Sequence, residues 1–387
     1  MHAEDKGTRI EAFFPNYYED VWVGHSCKAI LDGMQFAKAD TQLSVLACAK
    51  NSEEKNIHPL LPRKLTRLLA LPGCDAVAKS MLARRFERRL GRDIISYLWL
   101  SSPVELVQNA RSRGSFVVRE MINCSAQMRQ RELDRAHDLL GWPNLTTIRD
   151  SEIERERKEL LACDAVFCPN PMVRQSAREY GVKDDACIDC SYGWSEGRFT
   201  PHAHNPIPHD GINVVFAGTI DVRKGVPWLL QAWAQSKIAG TLYLAGRVDD
   251  QLSQLGASWL NQSSVKLLGH VKDISSVYNR ADIFVFPSWE EGGPMVTLEA
   301  MAHGLPCVVT PMGTSGAVTK DEGVVVEAGS VEALTEALVR LANDADLRRQ
   351  LGNAAFEKSL HYTWSRVGAL RLERLNKTKA WLESQRT

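Results

Sequence analysis

The 387-residue chain is 44% hydrophobic and 24% charged, which places it with soluble globular proteins and excludes disordered, collagen-like and membrane-embedded classes. Its 47 basic and 47 acidic side chains cancel, so no whole-surface field draws in nucleic acid or an anionic membrane, and any such partner must meet a local patch. The first residues carry no apolar stretch behind a positive one, and no uncharged apolar run approaches about 18 residues. A cytoplasmic location is expected, and the nine cysteines, an odd number, are expected to be reduced. Cys187 and Cys190 have metal or redox spacing, but no second pair or paired histidines complete a ligand set, and the stretch reads as a strand.

In chain order, apolar runs predict strands over Ile10 to Phe14, Gln42 to Ala47, Ile94 to Leu98, Ser115 to Arg119, Ala165 to Cys168 and Ala186 to Cys190, with helical segments between them. Residues 1–198 therefore read as one α/β domain. Residues 199–210 follow, where prolines and histidines replace any period and a linker is expected. The second half, residues 211–360, punctuates itself more sharply. Its apolar runs, Val214 to Ala217, Leu242 to Ala245, Val265 to Leu268, Ile283 to Pro287 and Cys307 to Thr310, alternate with stretches of helical period. Apolar strands that do not alternate need burial on both faces, which predicts a doubly wound parallel sheet. Residues 361–387 read as a C-terminal helical segment.

Two loops carry the chemistry. The stretch from Pro287 to Pro306 starts at the carboxyl end of a buried strand, where open α/β sheets bind ligands. Gly292 and Gly293 permit close backbone approach, and Pro294 suits the first position of a helix running from Met295 to His303. The start of that helix favours an anion. Glu291 precedes the helix and Glu299 lies just over one turn into it, and each carboxylate can accept two hydroxyl hydrogen bonds, as a vicinal diol offers. The bland alternative is that Glu290 and Glu291 are solvated loop charges. In the other loop a strand ends at Gly218, and Arg223 and Lys224 lead through Gly225 into an amphipathic helix. A cation pair beside a helix start can neutralise a diphosphate leaving group.

These stretches resemble the GT-B-fold retaining glycosyltransferases of family 4. Ala162 to Asn170 looks like the last strand of their acceptor domain, Ala217 to Gly225 like their phosphate loop, and Glu291 to Glu299 like their E-x7-E signature, with Leu268 to Val271 and Ala281 to Ser288 completing the series. The resemblance implies two Rossmann-like domains facing a central cleft, with the C-terminal helical segment packing towards the first domain. It further implies that Glu299 holds ribose hydroxyls, backbone near Val271 the base, Lys224 the diphosphate, and Gly293, Pro294, Met295 and Val296 the distal phosphate and sugar. Glu291 would orient the sugar, with no metal and no cofactor. Relatives place arginine after the phosphate-loop glycine where this chain has Thr219, so Arg223 or Arg247 would supply that charge. No histidine follows the strand ending near Arg119, and the first loop has a single glycine, Gly24, as a diphosphate neighbour.

The acceptor implied is a glycan or lipid-linked glycan in polysaccharide biosynthesis. The alternatives are an inactive GT-B-like nucleotide-sugar binding protein or another GT-B enzyme such as an epimerase. A phosphorylase lacks an identifiable pyridoxal lysine, and no G-x-G-x-x-G supports a dehydrogenase. In the segment from Leu61 to Leu71, Leu61, Leu65 and Leu68 fall on one face of an ideal α-helix and Arg63, Lys64 and Arg67 on the other. Arg84, Arg85, Arg88, Arg89 and Arg92 follow, a pattern suited to peripheral contact with anionic lipid.

Overall fold

The computed structural model describes residues 7–19, 22–48, 55–71, 73–100, 102–199 and 211–385. The first half carries β1 (Arg9–Tyr18), α1 (Trp22–Phe36), β2 (Asp40–Cys48), β3 (Ile57–Pro59), a 3-10 segment (Arg63–Ala70), α2 (Cys74–Glu87), β4 (Ile94–Leu98), α3 (Val104–Ser112), β5 (Phe116–Glu120), α4 (Ala126–Leu140), α5 (Asp150–Ala162), β6 (Ala165–Cys168), α6 (Pro171–Glu179) and β7 (Cys187–Asp189). The second half carries β8 (Ile212–Ala217), α7 (Val226–Ser236), β9 (Gly240–Ala245), α8 (Asp250–Leu255), α9 (Ala257–Leu260), β10 (Val265–Gly269), α10 (Ile274–Tyr278), β11 (Ile283–Phe286), α11 (Met295–Ala302), β12 (Cys307–Val309), β13 (Gly323–Val325), α12 (Val331–Asn343), α13 (Ala345–Ser359) and α14 (Trp364–Ser384).

The strands form two sheets, a seven-stranded one ordered β3-β2-β1-β4-β5-β6-β7 and a six-stranded one ordered β10-β9-β8-β11-β12-β13. Every ladder in both is parallel. Burial on both faces explains the unbroken apolar runs: Val214, Val215, Phe216, Ile283, Phe284 and Val285 are all fully buried. Each expected strand is present. The two that pattern did not reveal, β3 and β13, are three-residue edge strands, too short to show a period. Cys187 lies in β7 and Cys190 follows it, so that stretch is a strand, and Cys190 donates its amide to the Cys168 carbonyl at 3.0 Å.

The chain divides into two compact units, one of Met1–Ser125, Arg149–Cys190 and Trp364–Thr387, the other of Ala126–Ile148 and Ser191–Thr363. This differs from the expected boundary at 198 in two places. Helix α4 belongs to the second unit because its Arg135 lies 5.5 Å over the Trp289 ring and pairs with Glu327 at 3.1 Å, while Trp142 beyond it stacks on Trp259. Ser191 to Arg198 join the same unit through Trp194, whose amide and indole donate to the carbonyls of Tyr362 and Ser359. Of the expected linker, residues 200–210 lie outside the described residues; Phe199 is buried against His303. The C-terminal segment expected from 361 splits, since α14 belongs to the first unit and Tyr362 and Thr363 to the second.

Within the first unit, α14 crosses α1 at two glycines. A Cβ on Gly33 would stand 2.4 Å from the Trp364 carbonyl oxygen, and one on Gly368 2.5 Å from the Gly33 backbone, so only glycine permits this approach. The helix is then fixed to the sheet by a buried charge pair. Arg371, 1% exposed, donates to both carboxylate oxygens of Glu120, at 2.7 and 3.2 Å, and to the Tyr97 hydroxyl at 3.1 Å, which itself donates to Glu120 at 2.5 Å. Removing one partner of such a pair leaves a buried uncompensated charge, at about 3 to 5 kcal/mol. Arg371→Ala should therefore lower stability in urea by about that amount, whereas Arg374→Ala, on the exposed side of the same helix, should cost under about 1 kcal/mol; equal effects would contradict this role for Arg371.

Candidate active site

In the second unit the chain leaves β8 towards β9 on one side, then returns to place β11 on the other side of β8. That reversal is a switch point, the place at the strands' carboxyl ends where open α/β sheets bind ligands. Both sequence-derived motifs occupy the loops after β8 and β11. Gly218 and Gly246, at the ends of adjacent β8 and β9, have φ of 146° and 154°, and a Cβ on Gly246 would meet the Gly218 oxygen at 1.8 Å. The backbone there is open to no side chain but hydrogen.

The two loops are sewn together. The Trp289 amide donates to the Arg223 carbonyl at 2.9 Å, and the Lys224 amide donates to the Asp221 carboxylate at 2.7 Å, closing the turn that presents both cations. Arg223 then donates from Nη1 to the Glu290 carboxylate at 3.0 Å and to the Glu290 carbonyl at 3.3 Å. Lys224 pairs through Nζ with Glu291, with its ammonium 5.3 Å from the Phe286 ring centre, and the Ser288 hydroxyl lies 3.1 Å from the same Glu291 oxygen. Burial works against the Arg223 charge, yet Glu291, Glu290 and Asp221 together raise its pKa above the ordinary guanidinium value. Burial raises the Asp221 pKa against the pull of both cations. Glu290 is fully buried and Glu291 nearly so, which corrects the solvated-loop alternative for both.

Gly293, Met295 and Val296 are partly exposed at the start of α11, and Pro294 is buried. Pro294 caps the helix with φ −67° and ψ 108° rather than occupying its first turn, and the helix ends at Ala302 with His303 as its cap. Glu299 lies in the second turn and is half-buried, with the Tyr278 hydroxyl donating to it at 3.4 Å. His303 bridges its own helix and α10, with Nδ1 2.6 Å from the Glu299 carbonyl and Nε2 2.6 Å from the Ser275 hydroxyl. Val271 follows β10 and packs on the unit's core. The helix after Gly225 departs from the amphipathic expectation, as Trp228, Leu229, Leu230, Ala232 and Trp233 of α7 are all buried.

Arg223, Lys224 and Glu291 thus meet just before the start of α11, Gly218 ends the strand that leads to them, Glu299 lies within α11 and Val271 follows β10. Gly24 belongs to the first unit and lies inside the opening turn of α1 rather than in a loop, where a Cβ would meet the Glu19 oxygen at 2.3 Å. Sequence reasoning missed Glu290, Asp221 and Tyr278. For Glu290 a signal existed: doubled cations and doubled carboxylates follow the ends of two neighbouring strands.

Burial pushes the Glu299 carboxyl up from 4.5 to about 7, with Arg198 and Tyr278 pulling it down. A carboxyl raised by folding contributes its stability fully below the unfolded value and loses it as pH rises through the folded one. Glu299→Gln should accordingly gain about 1 to 3 kcal/mol on the wild type between pH 4.5 and pH 8 in urea titrations. A constant difference across that range would contradict this environment.

Residues 211–344 match the family described as Glycosyl transferases group 1. The capsular polysaccharide biosynthesis glycosyltransferase CapM of Staphylococcus aureus is 30% identical over 158 residues, covering 39% of this chain and 42% of that protein. The N,N'-diacetylbacillosaminyl-diphospho-undecaprenol alpha-1,3-N-acetylgalactosaminyltransferase of Campylobacter jejuni is 31% identical over 141 residues, 36% of this chain and 38% of that one. The chain thus spans about two-fifths of the length of these curated relatives. Sucrose-phosphate synthase from Thermosynechococcus elongatus superposes with a TM-score of 0.71 at 17% identity, covering 96% of this chain and 98% of that one. The fold is therefore the two-sheet GT-B type, and its second unit carries the segment matched to the group 1 glycosyl transferases.

Proposed function

We propose that this protein is a retaining glycosyltransferase of family 4 that moves a sugar from a nucleotide-sugar donor to a hydroxyl of a glycan or lipid-linked glycan. The observation that carries the reading is the meeting of Lys224, Glu291 and the start of α11 at the switch point of the sheet matched to the group 1 glycosyl transferases. In this reading Glu299 accepts the ribose hydroxyls, backbone near Val271 faces the base, Lys224 and the first turn of α11 receive the diphosphate, and Glu291 accepts sugar hydroxyls and orients the anomeric carbon. The acceptor hydroxyl attacks on the face the diphosphate leaves, which retains configuration. Arg223 has its charge balanced by Glu290, whereas Arg247 is exposed, makes no ion pair with a described residue and follows Gly246 beside Thr219 and Ile220, whose amide donates to the Arg247 carbonyl at 2.8 Å. Arg247 is therefore the arginine we assign to the diphosphate in place of the one absent at Thr219, with Arg223 shaping the loop.

Positive charge from Lys224, Arg247 and a helix start performs the neutralisation that a divalent ion would otherwise supply, so neither metal nor cofactor is needed in this mechanism. In an assay pairing nucleotide sugars with polyprenyl-diphosphate and oligosaccharide acceptors, transfer should persist in excess EDTA. Glu299→Ala should weaken nucleotide binding by about tenfold or more, because a carboxylate hydrogen bond to ligand contributes about 1.5 to 3 kcal/mol. Nucleotide binding without any transfer would support a binding protein instead, and loss of transfer restored by magnesium or manganese would contradict the leaving-group chemistry.

The relative from Campylobacter jejuni is named for a diphospho-undecaprenol substrate, and we propose that the acceptor of this chain is also lipid-linked and held at an anionic membrane surface. Leu65, Leu71, Val77 and Met81 are 43 to 61% exposed, and Arg63, Lys64, Arg67, Arg84 and Arg88 are exposed in the same stretch. The expected leucine face is partly corrected: Arg63–Ala70 winds as a 3-10 helix, whose rows repeat every three residues, and Leu61 lies before it, so an α-helical face joining Leu61 to Leu65 is not formed. The Leu68 side chain lies outside the described residues. Two of the arginines serve the fold, since Arg89 pairs with buried Glu11 at 2.7 Å and Arg85 donates to the Pro59 carbonyl at 3.0 Å. No described helix is long and apolar enough to cross a membrane. Cosedimentation with anionic but not neutral vesicles is expected at low salt, reduced when Arg63, Lys64, Arg67, Arg84 and Arg88 become Ala together, at about 1 kcal/mol each. Equal recovery with both vesicle types, or with neither, would leave an acceptor in free solution.

A further inference from the structure

We infer that the Lys224–Glu291 ion pair is the resting form of the site and that the donor opens it, the diphosphate drawing Lys224 away so that the Glu291 carboxylate becomes free to accept sugar hydroxyls. The inference rests on the nucleotide-sugar reading above and deepens it by setting the order in which donor groups are recognised.

The charge count of the two loops requires such a step. Arg223 and Lys224 stand against Asp221, Glu290 and Glu291, and both cations are already paired. A diphosphate entering this arrangement gains less from either cation while its pair is closed than once one opens, because the adjoining carboxylate offsets the attraction. The pairs are not equivalent. Arg223 is bound twice, to the carboxylate and to the carbonyl of Glu290, whose side chain is fully buried. Lys224 holds one carboxylate oxygen through a compact ammonium on a flexible stem, and both partners retain some exposure, 11% and 9%. Glu291 also adjoins Gly292, Gly293 and the start of α11, the end of the helix that favours an anion. When Lys224 departs, the Ser288 hydroxyl at 3.1 Å remains to anchor Glu291.

One ammonium therefore serves two anionic partners in turn, a carboxylate and a diphosphate. The diphosphate is recognised first and the sugar second, so a free sugar finds Glu291 occupied, and the affinity of a nucleoside diphosphate is reduced by the work of opening the pair.

Calorimetry on the full chain tests this with UDP, GDP and ADP in turn, each beside its nucleoside. In Glu291→Gln, which keeps the side chain's shape and removes the charge Lys224 must leave, the nucleoside diphosphate that binds should bind three- to tenfold tighter than to wild type, with the nucleoside unchanged. The affinity that the corresponding nucleotide sugar gains over its diphosphate should shrink. Lys224→Met should weaken the diphosphate by tenfold or more. Unchanged or weaker diphosphate binding in Glu291→Gln, with nucleoside binding intact, overturns the inference. Glu291→Asp, whose shorter reach loosens the same pair, gives the same comparison at smaller amplitude should the glutamine variant not fold. Failure of wild type to bind any of the three diphosphates would instead overturn the nucleotide-sugar reading, and this inference with it.

Discussion

Two ion pairs that cross in the same direction from the loop after β8 to the loop after β11 hold the site of this protein together. Arg223 reaches Glu290 and Lys224 reaches Glu291, each across 67 positions of sequence. Both carboxylates are buried, so parting the loops strands charge, most of all at fully buried Glu290, where breaking the pair with Arg223 costs about 3 to 5 kcal/mol. The backbone repeats the constraint: a Cβ on Gly225 would stand 2.0 Å from the Pro287 oxygen, which is how closely the two chains run.

Everything else in the site follows from where those loops are anchored. Parallel strands place all their carboxyl ends along one edge of the sheet, and the order β9-β8-β11 puts the switch point of that edge where the ion pairs lie. Trp289, next to Glu290, is clamped between Trp228 at 5.1 Å and the Arg135 guanidinium, so the loop after β11 is set on a packed aromatic floor. Glu299 is held by a different device, a helix whose cap residue His303 is tied to α10. The first unit uses the same physics for a different end: Arg371 and Glu120 spend a buried pair on fixing a helix, where the second unit spends two on fixing a site.

The fold was legible because burial leaves a plain mark on sequence. Runs such as Ile283 to Phe286 are apolar at every position, which only a strand covered on both faces tolerates. Strands with nothing to repeat, Ile57–Pro59 and Gly323–Val325, left no such mark. The candidate site drew attention to itself at its glycines and at its spaced carboxylates, since loop chemistry depends on residue type at fixed positions. It was illegible where a residue's role depends on its partner. Glu290 reads as a surface charge until its strand is seen beside that of Arg223, and the two arginines considered for the place of Thr219 separate only when one is found paired and the other exposed. Helix α4 shows the same limit: nothing in Ala126–Leu140 announces that its contacts lie with Trp289 and Glu327.

Hydrogen exchange with and without a bound nucleoside diphosphate locates the nucleotide along the chain, because amides that a ligand covers or orders exchange more slowly. The account predicts protection confined to peptides spanning residues 218–225 and 287–299, together with the strand end before residue 271. Protection that spares both loops while appearing elsewhere in the chain would place the nucleotide away from Lys224 and Glu291 and contradict their assigned roles.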